Sequence, residues 1–181
     1  MDIKLASRVR RIKPSPTLAV TAKANQLRLE GVDVINLAAG EPDFDTPDHI
    51  KQAAIEAIHA GKTKYTPVGG TNSLKAAVIA KFERDNGLSY QPNEILVSNG
   101  GKQSFYNLCQ AVINQGDEVI IPAPYWVSYP DMVLLADGIP AFITADHTQS
   151  FKITAKQLTR KISTKTKMLV LNSPSNPTGV S

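Results

Sequence analysis

With a single cysteine, Cys109, the sequence has no internal disulfide to form and no C-x-x-C pair for zinc or redox chemistry. A small apolar residue on a buried helix face is its plainest role. Histidine is nearly as scarce. Of the three, His49 and His59 lie ten apart on one expected helix and His147 falls in a loop, so no i, i+4 metal pair forms and no metal site is expected. No apolar run approaches the roughly 20 residues that cross a bilayer, and the basic opening MDIKLASRVRRIKPS is not followed by an apolar h-region. A cytoplasmic protein without a membrane partner is the expectation. No G-x-G-x-x-G occurs, which removes the dinucleotide fingerprint. A P-loop is also absent, because the position five before Gly101 is Leu96 and Lys102 is followed by Gln103. There is no internal repeat and no low-complexity tract.

The net charge of +4 and pI near 9.2 raise the question of nucleic acid. Two basic clusters exist: Arg8, Arg10, Arg11 and Lys13, then Arg160, Lys161, Lys165 and Lys167. Neither is interleaved with aromatics, and no nucleic-acid-binding signature lies between them. They read as a solvated arm and a solvated loop, with no nucleic-acid partner.

What is present is a chain of 181 residues, 42% hydrophobic, enough for one domain or one domain plus part of another. From about residue 46 the pattern alternates between helical periodicity and short apolar runs. Thr46-Pro47 predicts a helix start, Ile50, Ala54, Ala57 and Ile58 its apolar stripe, and Gly61 its end. A second helix is expected from about Asn72 to Gly87, with Leu74, Val78 and Phe82 on one face. A strand over Glu94 to Ser98 leads through Asn99-Gly100-Gly101 into a helix whose buried stripe is Phe105, Leu108, Cys109, Val112 and Ile113. Strands at Glu118 to Ile121, Ala141 to Thr144 and Met168 to Leu171 follow. Helices are expected between them, within Trp126 to Ala136 and after a Thr154 cap, the latter carrying Leu158 and Ile162. Such alternation predicts an α/β fold on a mainly parallel sheet. Residues 1–45 lack the alternation and read as an arm plus the start of a separate segment. The sequence stops immediately after a strand and a turn, which reads as interrupted, since a parallel strand needs cover on both faces.

Strand, then Gly100-Gly101, then helix is an arrangement in which open backbone N–H groups and the positive helix end can hold an anion such as phosphate, and Lys102 adds a charge. The same residues also make an ordinary tight turn. Pro124-Tyr125-Trp126-Val127-Ser128-Tyr129-Pro130 follows the next strand, at the carboxyl edge where open α/β sheets bind ligands, and contains the sole tryptophan. By itself a tryptophan is more often packing than a cofactor platform. Asn172 to Gly179 follows a third strand, although Asn-Pro and Thr-Gly are common turn pairs.

Taken together, Ala39 to Pro47, Lys64-Tyr65-Thr66 with Gly69, Gly100 to Gln103, Pro124 to Pro130 and Asn172 to Gly179 resemble, in order and spacing, the class I aminotransferases, most closely the bacterial aspartate aminotransferases. The resemblance implies the fold type I architecture of pyridoxal phosphate enzymes, a homodimer, and an amino acid and a 2-oxo acid as substrates, with aspartate and 2-oxoglutarate the expected pair. Residues 1–45 would be the arm and the start of the small domain. Residues 46–181 would be an incomplete large, cofactor-binding domain. It further implies that Gly100, Gly101 and Lys102 belong to the loop around the cofactor phosphate, that Trp126 stacks on the pyridine ring, and that Asn176 donates to the ring's phenolic oxygen. Gly40 would offer its backbone N–H to the substrate α-carboxylate. Tyr65 would reach the cofactor phosphate of the partner subunit. In some relatives a basic residue in the segment around Lys13 helps recognise the distal carboxylate of aspartate or prephenate, whereas the residues alone leave Lys13 a solvated arm lysine. The Schiff-base lysine of the family has no counterpart here, since Lys165 and Lys167 lie in a basic loop before a strand, so no catalytic residue is assigned and the chain alone is expected to be inactive. The alternative is a noncatalytic phosphate-binding or assembly module retaining half of the fold.

Overall fold

The computed structural model describes residues 4–35, 37 and 40–181. Contacts divide the chain into two units, one made of Gly100–Ser181 with the N-terminal stretch as far as Val20, the other of Thr21–Asn99. A helix, α1 (Pro16–Leu29), begins in the first and continues into the second. The periodicity of residues 1–45 did not predict it, because α1 has no apolar stripe and buries only Ala24. Its signals are at its ends. Ser15 precedes Pro16 and its Oγ accepts the Leu18 N–H at 3.4 Å, while Gly31 takes φ +83° just beyond the last turn.

In the second unit lie α2 (Asp48–His59) and α3 (Asn72–Asn86). Thr46 does not cap α2. Pro47 holds the cap position with no side-chain bond, and the Asp45 carboxylate accepts the Thr46 N–H at 2.7 Å and pairs with Lys51 at 2.8 Å. The stripe of α2 is uncovered, with Ile50 and Ile58 both exposed. Thr71 caps α3 by accepting the Leu74 N–H, and Gly87 ends it in the left-handed region that glycine enters without steric cost. The strand expected over Glu94 to Ser98 does not form. Glu94 is drawn into a 3-10 turn (Pro92–Glu94), where its carboxylate accepts the Gln91 N–H at 2.7 Å, and Val97 makes one backbone bond, to the Gly69 carbonyl at 3.0 Å. One bond is too few for a ladder.

The first unit is the α/β body. Its elements run α4 (Gly101–Val112), β1 (Glu118–Ala123), α5 (Ser128–Leu135), β2 (Ile139–Thr144), α6 (Ala155–Lys161) and β3 (Thr166–Leu169). The three strands are all parallel, in the order β2-β1-β3, with Glu118 opposite Ile139 and Thr166 and a register shift between Glu118 and Val119 on the β3 side. Because side chains alternate along a strand, Val119 and Ile121 pack with Cys109, Ile113 and Val133 of the α4 and α5 layer, while Ile120 packs with Ala141, Ile143 and Leu158 on the α6 side. All three β1 residues are fully buried, the continuous apolar run of a strand covered on both faces. The α6 cap is reciprocal: Thr154 Oγ1 accepts the Gln157 N–H at 3.2 Å and Gln157 Oε1 accepts the Thr154 N–H at 2.9 Å. Lys167, expected in a loop, lies inside β3 with its side chain exposed. Among the described residues no helix is long and apolar enough to cross a membrane.

Gly138 joins α5 to β2 where there is no room for a side chain. A Cβ there would sit 2.7 Å from Ile113 Cγ2 and 3.0 Å from Val133 Cγ1. Gly138→Ala should therefore destabilise the α/β body by about 1–3 kcal/mol through overpacking. Chemical denaturation would read this directly, and an unchanged midpoint would show that the layer yields.

Candidate functional site

The site forms where β1 and β3 end and α4 begins. Gly100 adopts φ +85°, ψ 165°, a conformation closed to residues with a Cβ, and brings no side chain to cap the first turn of α4. The space where Cβ atoms of Gly100 and Gly101 would lie is open. The helix start thus faces a cleft of about 700 Å³ lined by Gly100, Gly101, Lys102, Trp126 and Tyr129, with the end of β3 as its floor. Positive helix end, exposed backbone and Lys102 together suit an anion.

Trp126 lies in the short connection from β1 to α5, and its carbonyl accepts the Tyr129 N–H at 3.1 Å. Lys102 Nζ stands 5.0 Å from the centre of its ring, within cation–π range. Lys102 and Trp126 also line a second cleft, of about 640 Å³, whose other wall is the arm from Arg11 to Leu18 and includes Lys13. Arg11, expected to be solvated, forms an ion pair with Asp137 at the end of α5. The two are 126 residues apart, so nothing local in the sequence announces the pair.

Asn176 is exposed and lines a third cavity, of about 310 Å³, which shares Tyr129, Val170 and Leu171 with the Gly100 cleft. Its loop is closed by two backbone bonds, Ser175 N–H to Val180 O at 2.8 Å and Gly179 N–H to Ser175 O at 2.6 Å. The α/β body therefore gathers Lys13, Gly100, Gly101, Lys102 and Trp126 around two clefts that share Lys102 and Trp126, and sets Asn176 in the adjoining cavity. Gly40 and Tyr65 belong to the other unit, where Gly40 is exposed and Tyr65 fully so. Ala39, which opens the motif ending at Pro47, lies outside the described residues. Tyr129 stood within the Pro124 to Pro130 motif without a role of its own, although its spacing of three from Trp126 across a helix start was visible. Leu108, expected in the buried stripe of α4, is instead half exposed and lines the Gly100 cleft. Among the described residues no group of three or more His, Cys, Asp or Glu side chains could hold a metal.

A family model described as aminotransferase class I and II matches residues 32–181. The chain belongs to that family. It is 64% identical to the aspartate/prephenate aminotransferase of Nitrosomonas europaea over 98% of this chain and 45% of the relative, and 57% identical to the aspartate aminotransferase of a Bacillus species, strain YM-2, over 97% and 45%. Among solved structures, the aspartate aminotransferase of Thermus thermophilus with maleate matches with a TM-score of 0.94 at 49% identity, over 97% of this chain and 46% of that one. The enzyme from Rhizobium meliloti matches with a TM-score of 0.93 at 49% identity, over 97% and 44%. The architecture is accordingly the fold type I α/β arrangement of these aminotransferases. The family chain described here spans under half the length of the relatives it matches.

The helix that carries the Gly101 turn is anchored by Cys109, which is wholly buried; burial pushes its thiol from the ordinary 9.0 up to about 11. A raised thiol pKa means that the folded chain keeps a proton the unfolded chain gives up. Its stability contribution is intact below pH 9 and is lost as pH rises from about 9 through about 11. Cys109→Ala should flatten the fall in stability over that window relative to the parent chain. At pH 8 a thiol reagent should label Cys109 only after unfolding, and rapid labelling of the native chain would contradict the burial.

Proposed function

We propose that this chain is the cofactor-phosphate half of a pyridoxal phosphate-dependent aminotransferase whose complete form transfers the amino group of aspartate to 2-oxoglutarate. The observation that carries the reading is the meeting of the Gly100-Gly101 turn, Lys102 and Trp126 in one cleft at the carboxyl edge of a parallel sheet. These residues fit the phosphate and one ring face of such a cofactor: the uncapped α4 start and Lys102 for the dianion, the indole for the ring. When bound, pyridoxal phosphate supplies the electron withdrawal that loosens the α-proton of an amino acid. The chain's own residues bind and orient. Backbone N–H groups at Gly100 and Gly101 hold the phosphate, with Lys102 as its counter-charge. Trp126 packs on the ring, worth about 1 kcal/mol beyond area burial. Asn176 donates its side-chain amide to the phenolic oxygen. Gly40 presents its N–H to the substrate carboxylate. Tyr65, fully exposed in its own unit, reaches the cofactor phosphate of a second subunit in a homodimer.

Lys13 gains support from the arm-side cleft, which it lines together with Trp126. With Lys102 engaged by the phosphate, Lys13 meets the distal carboxylate of a dicarboxylic substrate such as aspartate. Prephenate also carries two carboxylates and, as a 2-oxo acid, is the alternative amino-group acceptor to test. Residues 1–45 would then be the arm and the start of a small domain, residues 46–181 part of the large domain, and the cytoplasm the site of action. No lysine of this chain is given the covalent or proton-moving role, because Lys102 stands at the phosphate end and Lys167 is on β3.

Assayed as the complete protein against a panel of donors, aspartate should turn over fastest with 2-oxoglutarate; negligible aspartate turnover beside rapid turnover of alanine or an aromatic donor would remove the substrate assignment. Trp126→Ala in that protein should weaken cofactor retention and slow turnover, and unchanged values would return Trp126 to packing. Borohydride reduction of the 181-residue chain mixed with pyridoxal phosphate should leave only scattered low-level adducts. A single adduct at one lysine of the cleft would overturn the account of the lysines.

A further inference from the structure

Trp126 stands in a connection with no helix or strand of its own, yet a ring that must lie flat against a ligand has to be held in one plane. Backbone position alone does not do this, because an indole on a loop retains two free side-chain torsions. Tyr129 supplies what is missing. Its N–H bonds the Trp126 carbonyl at 3.1 Å, and its ring meets the indole edge-on, with centroids 5.3 Å apart and planes at 84°. The same tyrosine ring meets Phe105 of α4 at 4.9 Å and 66°. Phe105 and Tyr129 in turn pack against the buried cluster around Cys109, Val119 and Val133. A continuous line of rings, Phe105, Tyr129, Trp126, thus runs from the core to the rim of the cleft. Edge-to-face geometry fixes angle as well as distance, since the positive ring edge seeks the negative face.

We propose that Tyr129 is a positioning residue that sets the plane of Trp126 and so tunes capture of the aromatic ring that Trp126 packs on. This rests on the assignment of Trp126 to the cofactor ring. Tyr129 acts through its ring. Phenylalanine should replace it, and leucine should not.

The test uses the complete protein labelled with 5-fluorotryptophan, with the Trp126 fluorine resonance assigned by its loss in Trp126→Phe. Tyr129→Leu should shift and broaden that resonance and weaken pyridoxal phosphate affinity by up to about tenfold, the worth of one edge-to-face contact, with a smaller change in unfolding temperature than a core truncation gives. Tyr129→Phe should restore both resonance and affinity. An unmoved Trp126 resonance in Tyr129→Leu, or a Tyr129→Phe variant as impaired as the leucine variant, would overturn the proposal, the second by pointing to the hydroxyl. If Tyr129→Leu does not fold, Phe105→Leu removes the core-side support while leaving Tyr129 in place. The same shift at lower amplitude is then expected, and its absence is equally decisive. Should Trp126→Ala itself leave cofactor affinity unchanged while Tyr129→Leu still moves the resonance, the cofactor-ring assignment fails and the positioning of Trp126 stands.

Discussion

The burial of β1 on both faces is the constraint from which the rest of the α/β body follows. Val119, Ile120 and Ile121 are wholly buried, and consecutive side chains of a strand point to opposite sides, so no single layer can cover them. One face takes α4 and α5 through Cys109, Ile113 and Val133, the other takes α6 through Leu158. At about 25 cal/mol per Å² of apolar surface, each such side chain contributes on the order of 1.5–3 kcal/mol of burial, far more than any of the exposed ion pairs. Because β1 runs parallel to both neighbours, the connections that follow β1 and β3 leave the sheet at the same edge. Trp126 and Asn176 are carried to adjoining cavities by this geometry, and the start of α4, packed against the same core, opens onto that edge.

How much of this was legible depends on whether a signal was local. The β1 run, the Thr154 cap and the Gly87 stop are short-range patterns, and each has the expected form in the structure. The resemblance was legible because its five motifs carry unusual residue types in a fixed order, Gly100-Gly101 and the Pro124 to Pro130 segment above all. Where sequence reading failed, competing physics intervened. Glu94 looked like the start of a strand but reached back to cap its own turn. Helix α1 showed no stripe because it buries almost nothing, so its signals were confined to the Ser15-Pro16 start and the Gly31 stop. Leu108 matched the apolar period of α4 yet faces the cleft, since periodicity identifies a face without saying what covers it. The Arg11–Asp137 pair and the Tyr129 ring contacts depend on long-range packing or on side-chain orientation, which spacing alone does not fix.

The charge distribution reads differently once the structure is known. Arg11 had been grouped with Arg8, Arg10 and Lys13 as one solvated cluster. Its pairing with Asp137 ties the arm to the end of α5, and Lys13 then lines the cleft that Lys102 and Trp126 also line. An exposed ion pair contributes little to stability, on the order of 0–1 kcal/mol. Its consequence is positional: it limits where the basic segment can go.

The energetics of the cleft set the scale of what a few contacts can hold. On the proposed assignment, charge-assisted hydrogen bonds to the phosphate contribute about 1.5–3 kcal/mol each, and one face of indole adds about 1 kcal/mol beyond its area. Against this stands an association cost of about 4–15 kcal/mol in lost translational and rotational freedom. Two or three contacts of this kind roughly cancel that cost and leave little net affinity. A held plane for Trp126 helps, because a ring already oriented by Tyr129 and Phe105 loses less freedom when the ligand arrives. Tight retention of such a ligand requires further anchors, a covalent bond and a partner for the ring nitrogen. Trp126, through Tyr129, and the start of α4, through Phe105, both rest on the core around β1, so on the proposed assignment the phosphate and the ring face meet groups held by one strand buried on both faces.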